Sequence, residues 1–260
     1  MRKVERGVAC AGCPHRAAYI ACKEALGRGA GRVICGDAGC TAVGPMHPAA
    51  TTCPGGEDAL LERYRAAVPA GGTAEEPAVE ACVHFVRDTQ LAEAADDGPL
   101  GSLAAEGTVT VLAVMASSRS FLTRESLERL AGRATALGAT SVAVVDPLDT
   151  VAAANTMSEA LDAPGVRAVI FASPCAQLVG RDAPAPVDID RYACVGCHRC
   201  KQITGCPALV FAPPAYRVDA DACSGCDLCC AYCRTHVIYS PRTRYTAQQR
   251  SAERYDAARG

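Results

Sequence analysis

Between residues 107 and 175 the chain alternates short, almost wholly apolar runs with longer segments whose apolar positions recur every three or four residues. VTVLAVMA (109–116) is continuous and β-branched, which predicts a strand buried on both faces. TRESLERLAGRATALG (123–138) predicts a helix, with Thr123 as its N-cap and Gly138 as its C-terminal stop. SVAVVD (141–146) predicts a second buried strand, TVAAANTMSEALDAPG a second helix and VRAVIFA (166–172) a third strand. That alternation implies an α/β fold with a parallel sheet and right-handed crossovers. Upstream, PHRAAYIACKEALG (14–27) predicts a helix and RVICGD (32–37) a short buried strand. EDALLERYRAAV (57–68) and AVEACVHFVRDTQLAEAA (78–95) show helical or mixed periodicity, and 69–77 reads as loop.

The pattern changes at RDAPAPVDID (181–190), a Pro- and Asp-rich linker. The expected organisation is an α/β domain over 1–180, that linker, a small cysteine-dense α+β domain over 191–240 and a polar tail over 241–260. Thr246 to Gly260 reads as a short surface helix.

Composition narrows the chemistry. Half of the 260 residues are hydrophobic but only 5% are aromatic and Trp is absent, so the core is built of Ala, Val and Leu. A net charge of −2 provides no basic field for nucleic acid or anionic lipid. No apolar run reaches the roughly 18 residues that a membrane-spanning helix needs, so membrane insertion is not expected. MRKVERGVAC lacks the apolar stretch of a secretory signal. Seventeen cysteines are the exceptional feature. A secreted disulfide scaffold is disfavoured by the chain length, the missing signal and the tight C-x-x-C runs. A reducing, oxygen-poor cytoplasm with metal-bound thiolates is the expected setting.

Two runs carry the strongest chemistry. CVGCHRCKQITGCPA holds Cys194, Cys197, Cys200 and Cys206, and CSGCDLCCAYCR holds Cys223, Cys226, Cys229 and Cys233, with Cys230 in addition. A C-x2-C-x2-C run wraps three thiolates around one cluster and takes its fourth ligand from the other run. Cys194, Cys197, Cys200 and Cys233 are therefore expected on one [4Fe-4S] cluster, and Cys223, Cys226, Cys229 and Cys206 on another. Zinc sites take two ligands from each knuckle, so zinc, like disulfides or [2Fe-2S], fits less well. Two departures stand out: five residues separate Cys200 from Cys206, and Arg234 replaces the usual Pro, placing a positive charge near a cluster. Cys230 reads as a bystander, and His198 and His236 as surface residues.

CAGCPHRAAYI, VICGDAGC, VAVVDPLDT, VIFASPC and the double cysteine run together resemble the C-terminal part of the large subunit of indolepyruvate:ferredoxin oxidoreductase. More broadly they resemble the thiamine-diphosphate domain of the 2-oxoacid:ferredoxin oxidoreductases, followed by a bacterial-type ferredoxin domain. Such enzymes decarboxylate a 2-oxoacid on thiamine diphosphate and pass electrons through clusters to ferredoxin. The resemblance implies Mg²⁺ held by an aspartate of a Gly-Asp turn and by an asparagine after the next strand. In this sequence the first place falls in 78–90, which has no Gly-Asp and only Val83, His84 and Phe85 near the position. The second falls in 109–120, with Ala116 and Ser117 where Asp-Asn is expected. Gly36 and Asp37 belong to an earlier turn. Thiamine diphosphate is therefore not expected, and His84 reads as a structural residue rather than a substitute catalyst. Asp146 and Asp149 read as a helix-entry turn.

The resemblance also implies a third cluster beside the thiamine site. Its positions match Cys10, Cys13 and Cys40, with Cys175 as fourth ligand and Cys53 as its rival. Cys22, Cys35 and Cys82 fit buried thiols instead. The resulting expectation is an iron–sulfur electron-transfer protein or subunit with no catalytic residue of its own. Its partners would be a ferredoxin or an oxidoreductase subunit, in a hetero- or homo-oligomer. The alternative is a thiamine-dependent oxidoreductase subunit whose partner supplies the missing domain.

Overall fold

The apolar run at 109–116 forms β3 (Val111–Ala116), every residue of which is buried. The computed structural model describes residues 9–27, 32–36, 81–94, 110–162, 165–180 and 183–259, and places β3 at the centre of a five-stranded sheet. The order is β1 (Arg32–Gly36), β2 (Ala81–Arg87), β3, β5 (Arg167–Ala172) and β4 (Ser141–Val145), and every pairing is parallel. Val83 lies opposite Val111, and Ala113 opposite Val169.

Because successive strand residues face opposite ways, β3 feeds two cores. Leu112, Val114 and Ala116 pack with Leu91 of α2 (Asp88–Glu93) and with Leu130 and Ala134 of α3 (Arg124–Ala136). Val111, Ala113 and Met115 pack with Tyr19 and Cys22 of α1 (Pro14–Leu26) and with Ala153 and Met157 of α4 (Thr150–Asp162). Helices cover both faces, which is why the strand carries no polar alternation. Each fully buried large aliphatic side chain stabilises the fold by about 1.5–3 kcal/mol. On the edge strand β4, by contrast, Val144 is 51% exposed.

The local signals at α3 hold. The Thr123 hydroxyl accepts from the Ser126 amide while the Ser126 hydroxyl accepts from the Thr123 amide, a reciprocal cap. Asp149 accepts from the Ala152 amide at 3.2 Å and Asp146 from the Leu148 amide at 2.9 Å, so the helix-entry turn is as expected. The mixed periodicity of 78–95 resolves into two elements, β2 and α2, which switch at Arg87–Asp88. His84 is fully buried in β2. The expected elements at 57–68 and 69–77, and Cys40 and Cys53, lie outside the described residues.

The cysteine-dense segment uses short antiparallel pairs: β6 (Asp188–Ile189) with β9 (Ile238–Tyr239), and β7 (Leu209–Ala212) with β8 (Ala215–Val218). Between them lie two short helices, α6 (Arg199–Thr204) and α7 (Leu228–Ala231). Its core combines Val187, Ile189, Leu209, Tyr216, Val237 and Ile238 with Cys200, Cys229 and Cys233. So little aliphatic material is typical of a unit that needs a staple. Ala17 and Ile20 of α1 meet Leu148 and Leu228, which joins this segment to the sheet. The C-terminal α8 (Ala247–Arg259) is helical as expected. It packs on α5 (Ala176–Val179), and Arg254 pairs with Asp146.

Candidate metal centres

Through their first three cysteines the two runs are built alike, with an offset of 29 residues. Asp190 accepts from the Tyr192 and Ala193 amides, and Asp219 accepts from the Asp221 and Ala222 amides. The Cys194 and Cys223 amides donate to Asp190 O and Asp219 O, both at 2.9 Å. Gly196 and Gly225 take φ 62° and 63°, and a Cβ on either would stand 2.5 Å from a carbonyl oxygen. His198 and Asp227, also left-handed, lead into α6 and α7. These turns fold each C-x2-C-x2-C run into an arc.

Each arc closes on a cysteine from the other. One cavity is lined by Cys194, Cys197, Cys200 and Cys233. A second is lined by Cys223, Cys226, Cys229 and Cys206. The structure thus brings together both sets expected from the spacing. Among the described residues, no three Cys, His, Asp or Glu side chains converge as a single-ion site requires. The cavities are apolar and the thiols crowd one another. Burial pushes the Cys226 thiol up to about 11, with Cys206 and Cys223 adding to it. Burial also raises Cys200, with contributions from Cys233, Cys197 and Cys194. At Cys233 burial is outweighed by hydrogen bonds, led by the Val237 amide at 3.4 Å, and its pKa falls. An arrangement that disfavours isolated thiolates yet directs amides at sulfur suits a positively charged iron core.

The long Cys200–Cys206 spacer is absorbed by the end of α6. Thr204 donates to Cys200 O at 2.7 Å, and the Lys201 ammonium donates to Cys206 O at 2.7 Å and Leu209 O at 3.1 Å. His198 is exposed and bonds Tyr216 Oη at 2.7 Å, while His236 is exposed at φ 54°. Arg234 lines the cavity of Cys194, Cys197, Cys200 and Cys233, and Cys230 lies outside both linings.

At the C-terminal edge of the sheet, Cys10, Cys13 and Cys175 form a further set. The Cys13 amide donates to Cys10 O at 3.1 Å, Cys13 precedes α1, and Cys175 stands between β5 and α5 with its amide on Ser117 O at 3.0 Å. Burial pushes the Cys13 thiol up to about 12, with Cys10 and Cys175 among the lesser causes. Gln177 Nε2 donates to Cys10 Sγ at 3.1 Å. Cys22 and Cys82 are fully buried in the two cores, and Cys35 lies in β1.

The same edge carries a carboxylate that the sequence reading missed. Asp88 opens α2 beside the turn after β3 and is 4% exposed. Its Oδ1 accepts from the Thr89 amide at 2.8 Å. Its Oδ2 accepts from the Ser117 amide at 3.1 Å, the Ser118 amide at 2.9 Å and the Ser118 hydroxyl at 2.7 Å. The segment 78–90 has no Gly-Asp, as expected, but Asp88, just beyond Val83, His84 and Phe85, places a carboxylate at the end of β2. Asp88 is nonetheless committed to three donors on one oxygen, where a hard cation needs open oxygen ligands. The described residues of this edge do not fit a Mg²⁺–diphosphate pair.

Comparison with known proteins agrees with the resemblance. A stretch of 108 residues is 36% identical to the indolepyruvate oxidoreductase subunit IorA of Thermococcus kodakarensis, covering 38% of this chain and 17% of that protein. IorA of Pyrococcus abyssi is 34% identical over 108 residues, and IorA of Archaeoglobus fulgidus 31% over 105. The chain thus matches about 17% of the length of these curated relatives. No protein-family model and no solved structure matches it. Over the matched stretch, the chain is similar to part of the indolepyruvate oxidoreductase subunit IorA.

Proposed function

We propose that this chain is an iron–sulfur electron-transfer protein or subunit related to the 2-oxoacid:ferredoxin oxidoreductases, without thiamine chemistry of its own. The observation that carries this reading is the pair of cavities, each lined by three cysteines of one run and the fourth of the other. Cys194, Cys197, Cys200 and Cys233 hold one [4Fe-4S] cluster, and Cys223, Cys226, Cys229 and Cys206 a second. Cys10, Cys13 and Cys40 hold a third, with Cys175 as fourth ligand and Cys53 as its rival. Bound clusters supply one-electron transfer at low potential. The chain supplies thiolates, amide donors to sulfur and an apolar wall that keeps water from the iron. The division into an α/β domain over 1–180, a linker, a ferredoxin domain over 191–240 and a tail belongs to the same reading. So do a ferredoxin or oxidoreductase-subunit partner and a cytoplasmic setting.

Iron and acid-labile sulfide per chain after anaerobic purification test this directly. About twelve irons mean three four-iron clusters, and about eight confine them to the two cysteine runs. Cys233→Ser should remove about four irons. Zinc in place of iron, or no loss in Cys233→Ser, would sink the reading. The alternative is that thiamine diphosphate binds with a partner's help, which would require Asp88 to give up the Ser117 and Ser118 donors that now occupy it. Calorimetric titration with thiamine diphosphate and Mg²⁺, with and without a candidate partner, decides it: saturable binding with 2-oxoacid-dependent dye reduction would replace the first reading.

A further inference from the structure

Arg16, in the first turn of α1, is the largest side chain fully buried in the described structure, at 2% exposure. Its Nη1 donates to Thr204 O, and its Nη2 donates to Ala9 O and to Cys10 O at 3.1 Å. All of these acceptors are main-chain carbonyls, from the N-terminal cysteine turn on one side and from the end of α6 on the other. No carboxylate is among its described partners. A buried guanidinium without a counter-anion is costly.

Two thiol sets flank it. Arg16, Ala11 and Gly12 line the cavity of Cys206, Cys223, Cys226 and Cys229. The turn holding Cys10 and Cys13 is therefore itself a wall of that cavity. The approach is tight: at φ +75°, Gly12 has so little room that a Cβ would stand 2.0 Å from Ser224 Oγ and 3.7 Å from Cys226 Cβ. Arg16 does not line the cavity of Cys194, Cys197, Cys200 and Cys233. The buried cation thus sits at the seam between two thiol sets and away from the third.

We propose that Arg16 is the shared counter-charge of two adjacent clusters, one held by Cys10 and Cys13 and one by Cys206, Cys223, Cys226 and Cys229, making them an electrostatically coupled redox pair. This rests on the reading that these thiols hold clusters. Each reduction adds one electron, supplied by a one-electron donor, to a cluster whose thiolate ligands stay ionised. The added negative charge is favoured by a fixed cation and disfavoured by a reduced neighbour.

EPR-monitored redox titration of the full chain, purified anaerobically and reduced with dithionite, tests the proposal. Signals are assigned by single Cys→Ser variants. Arg16→Gln should lower the midpoints of both flanking clusters by at least tenfold in the reduced-to-oxidised ratio, about 59 mV for a one-electron couple. The signal of the Cys194 set should not move, and Arg16→Lys should restore both midpoints. Independently of how Arg16→Gln folds, Cys13→Ser should raise the midpoint of the Cys206 set by removing a neighbouring negative charge, and Cys233→Ser should not. Unmoved midpoints in Arg16→Gln, equal shifts of all clusters, an Arg16→Lys variant as low as Arg16→Gln, or no rise in Cys13→Ser would each overturn the coupling while leaving the clusters in place. A wild-type chain without iron would overturn the underlying reading as well.

Discussion

Gly225 shows how little freedom the thiol arcs have. At φ 63° its hydrogen faces two carbonyl oxygens, of Pro184 and Ala185, each 2.5 Å from where a Cβ would be. Gly225→Ala should cost about 1–3 kcal/mol from the backbone alone, with the clash added to it. Thermal melts and iron retention read the effect, and a variant as stable and as iron-loaded as wild type would refute it. The thiols give a pH dependence with a definite sign. Cys13 and Cys226 are pushed up from an ordinary 9.0 to about 12 and about 11, chiefly by burial. The folded, cluster-free protein therefore holds protons that the unfolded chain releases. That contribution to stability is complete below pH 9 and is lost as pH rises through about 11 and 12. Melts of cluster-free protein should accordingly fall above pH 9, whereas thiols already ionised by iron remove this dependence.

At the scale of elements, α3 rests on its reciprocal cap. Thr123→Ala should destabilise the protein by about 1 kcal/mol, measurable by urea denaturation, because the Ser126 amide loses its acceptor. This helix and α4 were legible in the sequence because each buries a face whose period survives in the residues, and β3, β4 and β5 because each is a short, continuous apolar run bounded by turn residues. The switch at Arg87–Asp88 was not. A doubly buried strand such as β2 has no alternation, and the helix after it is too short to show a period. The two-residue strands β6 and β9 exist only through pairing over about fifty intervening residues, which no local pattern records. The cysteine sets were legible because ligand spacing is itself local. Asp88 was not, because its meaning lies in the turn after β3 rather than in its neighbours along the chain. Arg16 was hidden for the same reason: its role depends on Thr204, far along the chain.

For the whole molecule, α8 matters more than its polar composition suggests. Arg254, 8% exposed, pairs with Asp146, 15% exposed, at the C-terminal end of β4, so the last helix closes over the sheet. Asp146→Ala should cost roughly 3–5 kcal/mol, since it leaves a buried guanidinium uncompensated. Chemical denaturation measures that loss, and a change below about 1 kcal/mol would mean that the pair is solvated. The crossed closure of the two thiol arcs has a further consequence, for biosynthesis. A ribosome that has just delivered Cys200 has completed neither set, because the cavity of Cys194, Cys197 and Cys200 lacks its fourth wall until Cys233 emerges. Cys206 likewise waits for Cys229. Neither of the two crossed sets is complete before Cys229 has been made. Of the two crossed sets, a chain ending at 232 keeps that of Cys206, Cys223, Cys226 and Cys229 complete and orphans Cys194, Cys197 and Cys200.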